Sequence, residues 1–360
     1  MSATDFFPTD YGAARRTFRH AANVAGARLH AYPLDAAGRE GEKLTIDVAI
    51  IGDADPDRVM LVSSGIHGVE GFFGSALQTA WLRKWNECKW ARGTAIVLIH
   101  ALNPYGFSWL RRVNEDNVDL NRNFLRFNER YEGAPPGYAE LDGFLNPATA
   151  PSPLEMYRFQ ALWQILRRGM PALKSAVAVG QYEFQRGLFF GGHGPSQSTR
   201  IIQAHCSEWV SSAADIVHID LHTGLGASGT YKLLILDAAD SPSSDWYRRH
   251  FGDEIESTAS SSGTAYPARG MIGGWLADHW RDLRYRYMAA EFGTVPIIRV
   301  LGAMRAENRA HYYLAPGHKA YLRAKSQLLE CFCPRSYAWR GEVLDKGLRI
   351  MRDAVGALSG

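Results

Sequence analysis

Residues 58–74 read "RVMLVSSGIHGVEGFFG", an apolar run followed at once by a stretch with four glycines. The apolar run predicts a buried strand, and the glycines predict a sharp turn from that strand into a helix. His67 and Glu70 stand in this turn, three residues apart. Both side chains are able to bind a metal ion, but a His-x-x-Glu pair arises often by chance and is more commonly solvated. The stretch therefore predicts the end of a strand and leaves the role of the pair open.

Short apolar runs of the same kind recur along the chain, separated by helical patterns such as "GSALQTAWLRKW". The later runs are "TAIVLIHALNP", "ADIVHIDLH", "YKLLILDAA" and "YRYMAAEFG". Strands that alternate with helices over most of a chain are typical of an α/β fold. We therefore expect a mixed, mostly parallel and twisted sheet with helices on both faces.

The stretch from about 125 to 200 has a different composition, being rich in glycine, proline and aromatic residues. We interpret it as a long, partly helical excursion from the sheet that forms part of a cleft wall. Treating it as an insertion explains the 360 residues of the chain more economically than two domains do. The prediction is therefore a single catalytic α/β domain, 1–360, with a large insertion at about 125–200.

Composition excludes several classes of protein. The hydrophobic content of 46% and charged content of 21% are ordinary for a globular protein with a sizeable core. A net charge of +3 is too small to indicate a nucleic-acid partner or an anionic membrane surface. No apolar stretch approaches the roughly 20 residues that span a bilayer, and the first residues contain no signal-peptide pattern. We therefore expect no nucleic-acid or membrane partner and a cytoplasmic location, and the oligomeric state is not predicted.

Three of the predicted strands end in residues suited to metal chemistry. The first leads to His67 and Glu70, the second to His222 in "DLHTG", and the third to Glu291 in "EFGT". In open α/β sheets, ligands collect beyond the carboxyl ends of the strands. Two histidines and a carboxylate form a set that zinc accepts, with a fourth position open for water. Glu291 would then be free to move protons, although each of these residues alone is more often solvated or structural.

The stretch "LRRVNEDNVDLNRNF" strengthens the case for a catalytic site. Arg122 follows Asn121 directly, and a guanidinium beside an amide is able to hold a carboxylate through several directed hydrogen bonds. Arg112 is a candidate for facing an oxyanion formed at the metal. The alternative is that the arginines form surface ion pairs with the neighbouring acidic residues, Glu115, Asp116 or Asp119. Composition alone does not decide between these two interpretations.

The ordered set of motifs resembles a known superfamily. The motifs are "GIHGVEG", "NPYGF", "RVNEDNVDLNRNF", "DLHTG", "YPARGMIGGW" and "EFGT". Together they resemble the zinc carboxypeptidase superfamily, which includes carboxypeptidase A-like peptidases, murein-peptide amidases, and the aspartoacylase and succinylglutamate desuccinylase deacylases. "NVDLNRNF" is nearly the phrase of the murein-peptide amidases, with Asn117 in place of its glycine. The resemblance covers roughly residues 58–300 and implies a zinc carboxypeptidase-like α/β fold.

The resemblance also implies roles for the residues that match its motifs. It implies that His67, Glu70 and His222 are the ligands of one zinc ion. Arg112, nine residues before Asn121, matches the arginine that polarises the scissile carbonyl and holds its oxyanion. Glu291 matches the general base and acid.

Substrate-binding residues follow from the same resemblance. Asn121 and Arg122 match the pair that grips the terminal carboxylate of the substrate. Tyr266 matches the mobile tyrosine of the carboxypeptidases, with Tyr285 and Tyr287 as competitors for that role.

The implied activity is hydrolysis of an amide bond adjacent to a free carboxylate, as in metallocarboxypeptidases. Its substrate is then a small peptide or an N-acyl amino acid, and "DLNRNF" with Tyr266 favours a peptide. One alternative is an N-acyl amino acid deacylase, and another is a metal- or carboxylate-binding protein without catalysis. Asn121 and His222 are 101 residues apart, more than in typical carboxypeptidases, because the excursion lies between them. We expect the excursion to narrow the range of substrates.

Overall fold

A computed structural model of the chain describes residues 3–85, 92–238, 240–258 and 268–359. Within these ranges the strands are β1 (Arg28–Ala37), β2 (Lys43–Gly52), β3 (Arg58–Ser64), β4 (Thr94–His100), β5 (Asp215–Thr223), β6 (Tyr231–Ile235), β7 (Ile255–Ser257) and β8 (Arg284–Phe292). The helices are α1 (Tyr11–Val24), α2 (Gly71–Arg83), α3 (Pro104–Ser108), α4 (Tyr138–Leu145), α5 (Tyr157–Arg168), α6 (Met170–Val177), α7 (Gln197–Val210), α8 (Pro242–Phe251), α9 (Ile272–His279), α10 (Ile297–Tyr313), α11 (Lys319–Phe332) and α12 (Tyr337–Ser359).

The strands form one sheet in the order β1-β2-β4-β3-β5-β8-β6-β7. The central strands β4, β3, β5 and β8 run parallel to one another, whereas β2 and β6 pair antiparallel with their central neighbours. Strands β3 and β4 are buried along nearly their whole length, as expected for parallel strands covered on both faces. The predicted mixed, mostly parallel sheet is confirmed.

Helices pack against both faces of this sheet. On one face α2 and α12 contact β3, and Ser64 donates a hydrogen bond to Gln78 of α2. Ser63 points to the opposite face because successive side chains of a strand alternate, and there α7 contacts β1 and β4 and α9 contacts β8. No helix in the described part of the chain is long and apolar enough to cross a bilayer.

The order of the strands positions the functional residues. From β3 the chain crosses through α2 to β4 on one side, and it returns after the excursion as β5 on the other side. Such a reversal leaves a crevice beyond the carboxyl ends of the strands. His67 lies just past the end of β3, and His222 pairs in register with Glu291 at the ends of β5 and β8. Distant parts of the sequence therefore meet at this crevice.

The excursion at 125–200 is partly helical, as expected, and contains α4, α5 and α6. Tyr138, Leu141 and Leu145 of α4 belong to a buried cluster that also contains Val300 and Met304 of α10. The excursion is therefore packed onto α10. The assignment of the whole chain to one domain with an insertion stays a prediction.

Candidate metal centre

The glycines after β3 allow the backbone to turn and to pack closely. Gly65 has a φ of +63°, in the left-handed region that glycine adopts without steric cost. A Cβ atom on Gly68 would lie 2.1 Å from the backbone carbonyl carbon of Gly106, so a larger residue would force the two segments apart. The Glu70 N–H then donates to the His67 carbonyl at 2.9 Å. This short turn directs the two side chains to the same point.

His67, Glu70 and His222 converge on one buried position. One ligand atom from each residue lies within 4.8 Å of the other two. The Nδ1 atom of His67 is 2.9 Å from one Glu70 oxygen, and the Nδ1 atom of His222 is 3.2 Å from the other. The structure therefore brings together the three residues that the sequence suggested as ligands. Their role as zinc ligands stays a prediction.

Each histidine of this group has a carboxylate at its other ring nitrogen. His67 Nε2 lies 3.3 Å from Asp119, and His222 Nε2 lies 2.7 Å from Asp220. Both aspartates are fully buried. A carboxylate that accepts from the outer nitrogen orients the ring and leaves the inner nitrogen available to a metal ion. Sequence reasoning did not assign this role to either aspartate.

A signal for both aspartates was nevertheless present. Asp220 stands two residues before His222 on one strand, so the two side chains share a face of the sheet. Asp119 was considered as a partner for a surface arginine. The structure confirms an ion pair between Asp119 and Arg112, but Asp119 is buried, Arg112 is only partly exposed, and both contact His67.

The electrostatics of the group favour a cation. Burial raises the pKa of the Glu70 carboxyl, but His67 and His222 outweigh burial and lower it to about 2. Burial lowers the pKa of His222, but Asp220 and Glu70 raise it well above its ordinary value. Burial also raises the pKa of Asp119, but Arg112 and His67 hold it well below its ordinary range. Two imidazoles surrounded by ionised carboxylates are a donor set that fits a divalent metal ion such as zinc.

Glu291 lies beside this group without belonging to the ligand set. Its Oε1 accepts a hydrogen bond from the Leu225 N–H at 2.9 Å, which fixes the carboxylate at the end of β8. Burial, opposed by His222 and reinforced by the Glu70 carboxylate, raises the pKa of Glu291 to about 7. A carboxyl with a pKa near neutrality is suited to accept and return a proton.

Arg112 reaches the same position from the other side. Its guanidinium donates to Asp119 at 3.0 Å through Nε, and one terminal nitrogen lies 2.7 Å from His67 Nε2. The other terminal nitrogen is 3.6 Å from Glu70. The side chain is held by Asp119 and is still partly exposed, so that it faces the space above the ligand group.

Asn121 and Arg122 are buried, and both side chains form hydrogen bonds with backbone atoms. Asn121 Oδ1 accepts from the Ile272 N–H at 3.1 Å. Arg122 donates to the carbonyl oxygen of Ala178 at 3.0 and 2.6 Å, which ties it to the end of the excursion. The role of this pair in holding a substrate carboxylate stays a prediction.

Tyr266 lies outside the described residues, so its predicted role stays a prediction. Its competitors are described: Tyr287 is buried and Tyr285 is partly buried. The Tyr285 hydroxyl is 2.7 Å from His218 Nδ1, and the Tyr287 hydroxyl donates to Asp220 at 3.2 Å. These contacts place Tyr285 and Tyr287 among the supports of His222.

A cavity of about 310 Å³ opens from the ligand group. His67, Glu70, Arg112 and Glu291 form its polar end. Its remaining walls come from α4, α5 and α6 of the excursion, from the start of α10, and from the segment 223–226 after β5. The excursion therefore forms a wall of the site, as the sequence analysis expected.

Replacement of Asp220 tests the support that this residue gives to His222. In Asp220→Asn the side chain keeps its shape but becomes a weaker acceptor for the imidazole N–H. We expect zinc affinity to fall roughly 10- to 100-fold, the usual effect of losing such a partner. Competition with a chromophoric chelator measures this affinity.

The matched control is Asp215→Asn at the start of the same strand, where the carboxylate pairs with Arg284 and Arg286 near the surface. This variant is expected to bind zinc as the parent protein does. Equal affinity in both variants would show that Asp220 does not support a metal ligand.

Comparison with solved structures identifies the fold. The structure of bovine thrombin-activatable fibrinolysis inhibitor in complex with tick carboxypeptidase inhibitor matches with a TM-score of 0.52 and 11% identity, over 98% of this chain and 97% of that chain. Carboxypeptidase A from Helicoverpa armigera matches with a TM-score of 0.46 and 13% identity, over 89% of this chain and 74% of that chain. Murein-tripeptide amidase MpaA from Escherichia coli O157 matches with a TM-score of 0.36 and 14% identity, over 84% of this chain and 91% of that chain. The first of these matches shows that the chain has the zinc carboxypeptidase fold. The resemblance is therefore confirmed at the level of the fold.

Sequence comparison gives a family as well. No curated protein matches the chain significantly in sequence. The family described as "Protein of unknown function (DUF2817)" matches residues 7–346, which is nearly the whole chain. The protein therefore belongs to the DUF2817 family.

Proposed function

We propose that this protein is a zinc-dependent hydrolase that cleaves an amide bond adjacent to a free carboxylate. The observation that carries the proposal is the convergence of His67, Glu70 and His222, each histidine backed by a buried aspartate, next to Glu291 and Arg112. A binding protein without catalysis would need the three ligands but has no use for a buried glutamate that is fixed beside them at the polar end of the cavity without belonging to the set.

His67, Glu70 and His222 would hold the zinc ion, with Asp119 and Asp220 fixing the two imidazoles. When bound, zinc supplies Lewis acidity that polarises a carbonyl group and lowers the pKa of water to about 7. The excess of carboxylates around the two histidines favours the presence of such a cation. The single zinc ion is part of the proposal.

Glu291 performs the proton transfers of the reaction. Hydrolysis forms a bond between a water oxygen and the carbonyl carbon and breaks the bond between that carbon and the amide nitrogen. The carboxylate of Glu291 takes a proton from the water and returns it to the departing nitrogen, so that the products are a carboxylic acid and an amine. The Leu225 N–H holds the carboxylate in place during both transfers.

Arg112 donates to the carbonyl oxygen as negative charge develops on it. Its guanidinium is oriented in advance by Asp119 at 3.0 Å, so little rearrangement is needed when the substrate binds. The Phe189 ring also packs against the guanidinium, 5.4 Å from its central carbon. Oriented donors in a buried site stabilise such charge more than water does.

Asn121 and Arg122 would bind the free carboxylate on the amine side of the amide. In support, the Arg122 guanidinium carbon lies 5.8 Å from the same Phe189 ring that Arg112 contacts, so a second positive charge stands close to the cavity. Neither residue contributes to the cavity wall. In this proposal, the end of the substrate that carries the free carboxylate extends out of the cavity toward Asn121 and Arg122.

An N-acyl amino acid is a second candidate substrate beside a small peptide. The observation that favours it is the cavity wall, which is almost entirely apolar beyond the ligand group. A peptide inserted there would bury N–H and C=O groups without partners, and an acyl group would not.

A substrate panel with metal control tests the proposal. Protein loaded with one equivalent of zinc is assayed with dipeptides, tripeptides and N-acyl amino acids, and with the same compounds as C-terminal amides. We expect hydrolysis of the compounds with a free carboxylate, loss of activity with a chelator, and recovery with zinc. Hydrolysis that survives complete metal removal, or zinc-loaded protein that cleaves no compound of the panel, would contradict the proposal.

A further inference from the structure

The cavity has one polar end and an apolar body. We use the term apolar chamber for the body lined by Leu141, Leu145, Ile165, Leu173, Val177 and Met304. These side chains come from α4, α5 and α6 of the excursion and from α10. The chamber is therefore built largely by the excursion, the segment that distinguishes this chain from typical carboxypeptidases.

The chamber offers a bound molecule few hydrogen-bond partners. Tyr157 and Gln164 are the polar side chains of the chamber wall, and the Tyr157 hydroxyl and the Gln164 side-chain oxygen each already have a hydrogen-bond partner. The Tyr157 hydroxyl donates to the Ile298 carbonyl at 3.0 Å, and Gln164 Oε1 accepts from Arg168 at 3.2 Å. A polar group in this space would lose its water without replacement, at a cost of roughly 1–3 kcal/mol. The wall therefore selects a hydrocarbon.

The volume sets the size of that hydrocarbon. The whole cavity, polar end included, measures about 310 Å³, and at roughly 30 Å³ for each small group it holds on the order of ten non-hydrogen atoms. A large aromatic amino-acid side chain would also fill this space, but it enters on a peptide backbone whose N–H and C=O groups find few partners in this wall. An unbranched acyl chain of eight to ten carbons, counted from the carbonyl carbon, fills the space without adding such groups.

The chamber lies on the acyl side of the amide. Its polar end carries Arg112 and Glu291, between which the scissile carbonyl is placed by the proposed function. Asn121 and Arg122, the proposed carboxylate-binding pair, stand outside its wall. The two substituents of the amide point in opposite directions, so the chain in the chamber is attached to the carbonyl carbon.

We propose that the apolar chamber binds an unbranched aliphatic acyl chain of about eight to ten carbons, so that the substrate is an N-acyl amino acid with a medium-length fatty acyl group. This inference rests on the proposed function for the position of the carbonyl. Hydrolysis adds water across the amide bond and gives a free fatty acid and a free amino acid.

The first experiment measures kcat/KM for N-acyl derivatives of glycine, glutamate and phenylalanine, with straight chains from acetyl to myristoyl. Burial of one methylene is worth about 0.8 kcal/mol, which corresponds to an increase of at most about fourfold for each added carbon. We expect kcat/KM to rise over the series until the chain reaches eight to ten carbons, and then to level off or fall. Benzoyl and acetyl derivatives are expected to be poor substrates.

The second experiment measures binding without catalysis. Titration of decanoate into metal-free protein by calorimetry reports on the chamber alone. The variant Ala161→Phe inserts a ring into the wall at α5, and we expect it to weaken decanoate binding at least tenfold and to shift the preferred chain toward shorter lengths. The matched control is Leu162→Phe on the outer side of the same helix, where the side chain is 50% exposed, and it is expected to change neither result.

The outcomes separate the two proposals. Hydrolysis of acetyl and decanoyl substrates at equal rates, with no decanoate binding, would refute the acyl-chain site and leave the proposed function standing. Decanoate binding that Ala161→Phe removes, without hydrolysis of any peptide or N-acyl amino acid of the panel, would support the site and refute the proposed function. A preference for benzoyl substrates or aromatic peptides would overturn the choice of an aliphatic chain. The wild-type series gives this answer even if Ala161→Phe does not fold.

Discussion

Replacing Glu291 by Gln is expected to lower kcat by roughly 100- to 10 000-fold, the range associated with loss of a general base and acid. Glutamine keeps an oxygen that accepts from the Leu225 N–H, so the local structure is retained. It does not take a proton from water, and the departing amine receives none from it. Steady-state kinetics on the best substrate of the panel measures the loss, and metal analysis accompanies it.

Zinc content distinguishes this effect from loss of the metal site. Glu291 stands outside the ligand group, so we expect Glu291→Gln to bind one zinc ion per chain. Glu208→Gln is the matched control because Glu208 is exposed, contacts His205 on α7, and does not line the cavity. A folded, zinc-loaded Glu291→Gln protein with wild-type kcat would show that another group moves the protons.

The fold was predictable because its signals are local in the sequence. Each central strand is a run of apolar residues with a polar or glycine-containing end, and such runs are readable without knowledge of their partners. The order of the strands is not readable in this way. That β5 lies beside β3, and not beside β4, depends on packing between segments more than 100 residues apart in the sequence.

The ligand group was predictable for a related reason. His67, Glu70 and His222 follow the ends of strands that run parallel, and these ends meet at one edge of the sheet. Asp220 was missed although it shares a face of β5 with His222. The spacing of two residues indicates that both side chains share a face, but only the structure shows that the Asp220 carboxylate faces the outer nitrogen of the imidazole.

The apolar chamber was the least predictable part of the site. Its wall combines residues of the excursion with residues of α10, more than 100 positions later in the chain. The composition of the excursion indicated a cleft wall but not its chemistry. An ordinary amphipathic helix has the same sequence pattern whether its apolar face packs in the core or lines a cavity. The preference of the sequence analysis for a peptide substrate came from "DLNRNF" and Tyr266, neither of which bears on this wall.

Replacement of Arg112 is expected to have the second largest effect on kcat. It tests how negative charge on the carbonyl oxygen is stabilised. Arg112→Met keeps a long side chain that packs against Phe189 but removes the guanidinium. We expect kcat to fall roughly 100- to 1000-fold, as when a donor to an oxyanion is lost, with a smaller change in KM. Arg112→Lys keeps a positive charge without the forked geometry, and an intermediate kcat is expected.

The contacts of Arg112 with Asp119 and His67 make a second measurement necessary. If the arginine acts mainly by orienting His67, zinc affinity falls together with kcat in Arg112→Met. If it acts on the substrate, zinc affinity stays within a few fold of wild type while kcat falls. The same substitution at Arg126, which pairs with Asp278 at the surface, is the matched control and is expected to change neither quantity. Full kcat in zinc-loaded Arg112→Met would mean that the carbonyl oxygen is stabilised without this guanidinium, and the proposed role of Arg112 would be wrong.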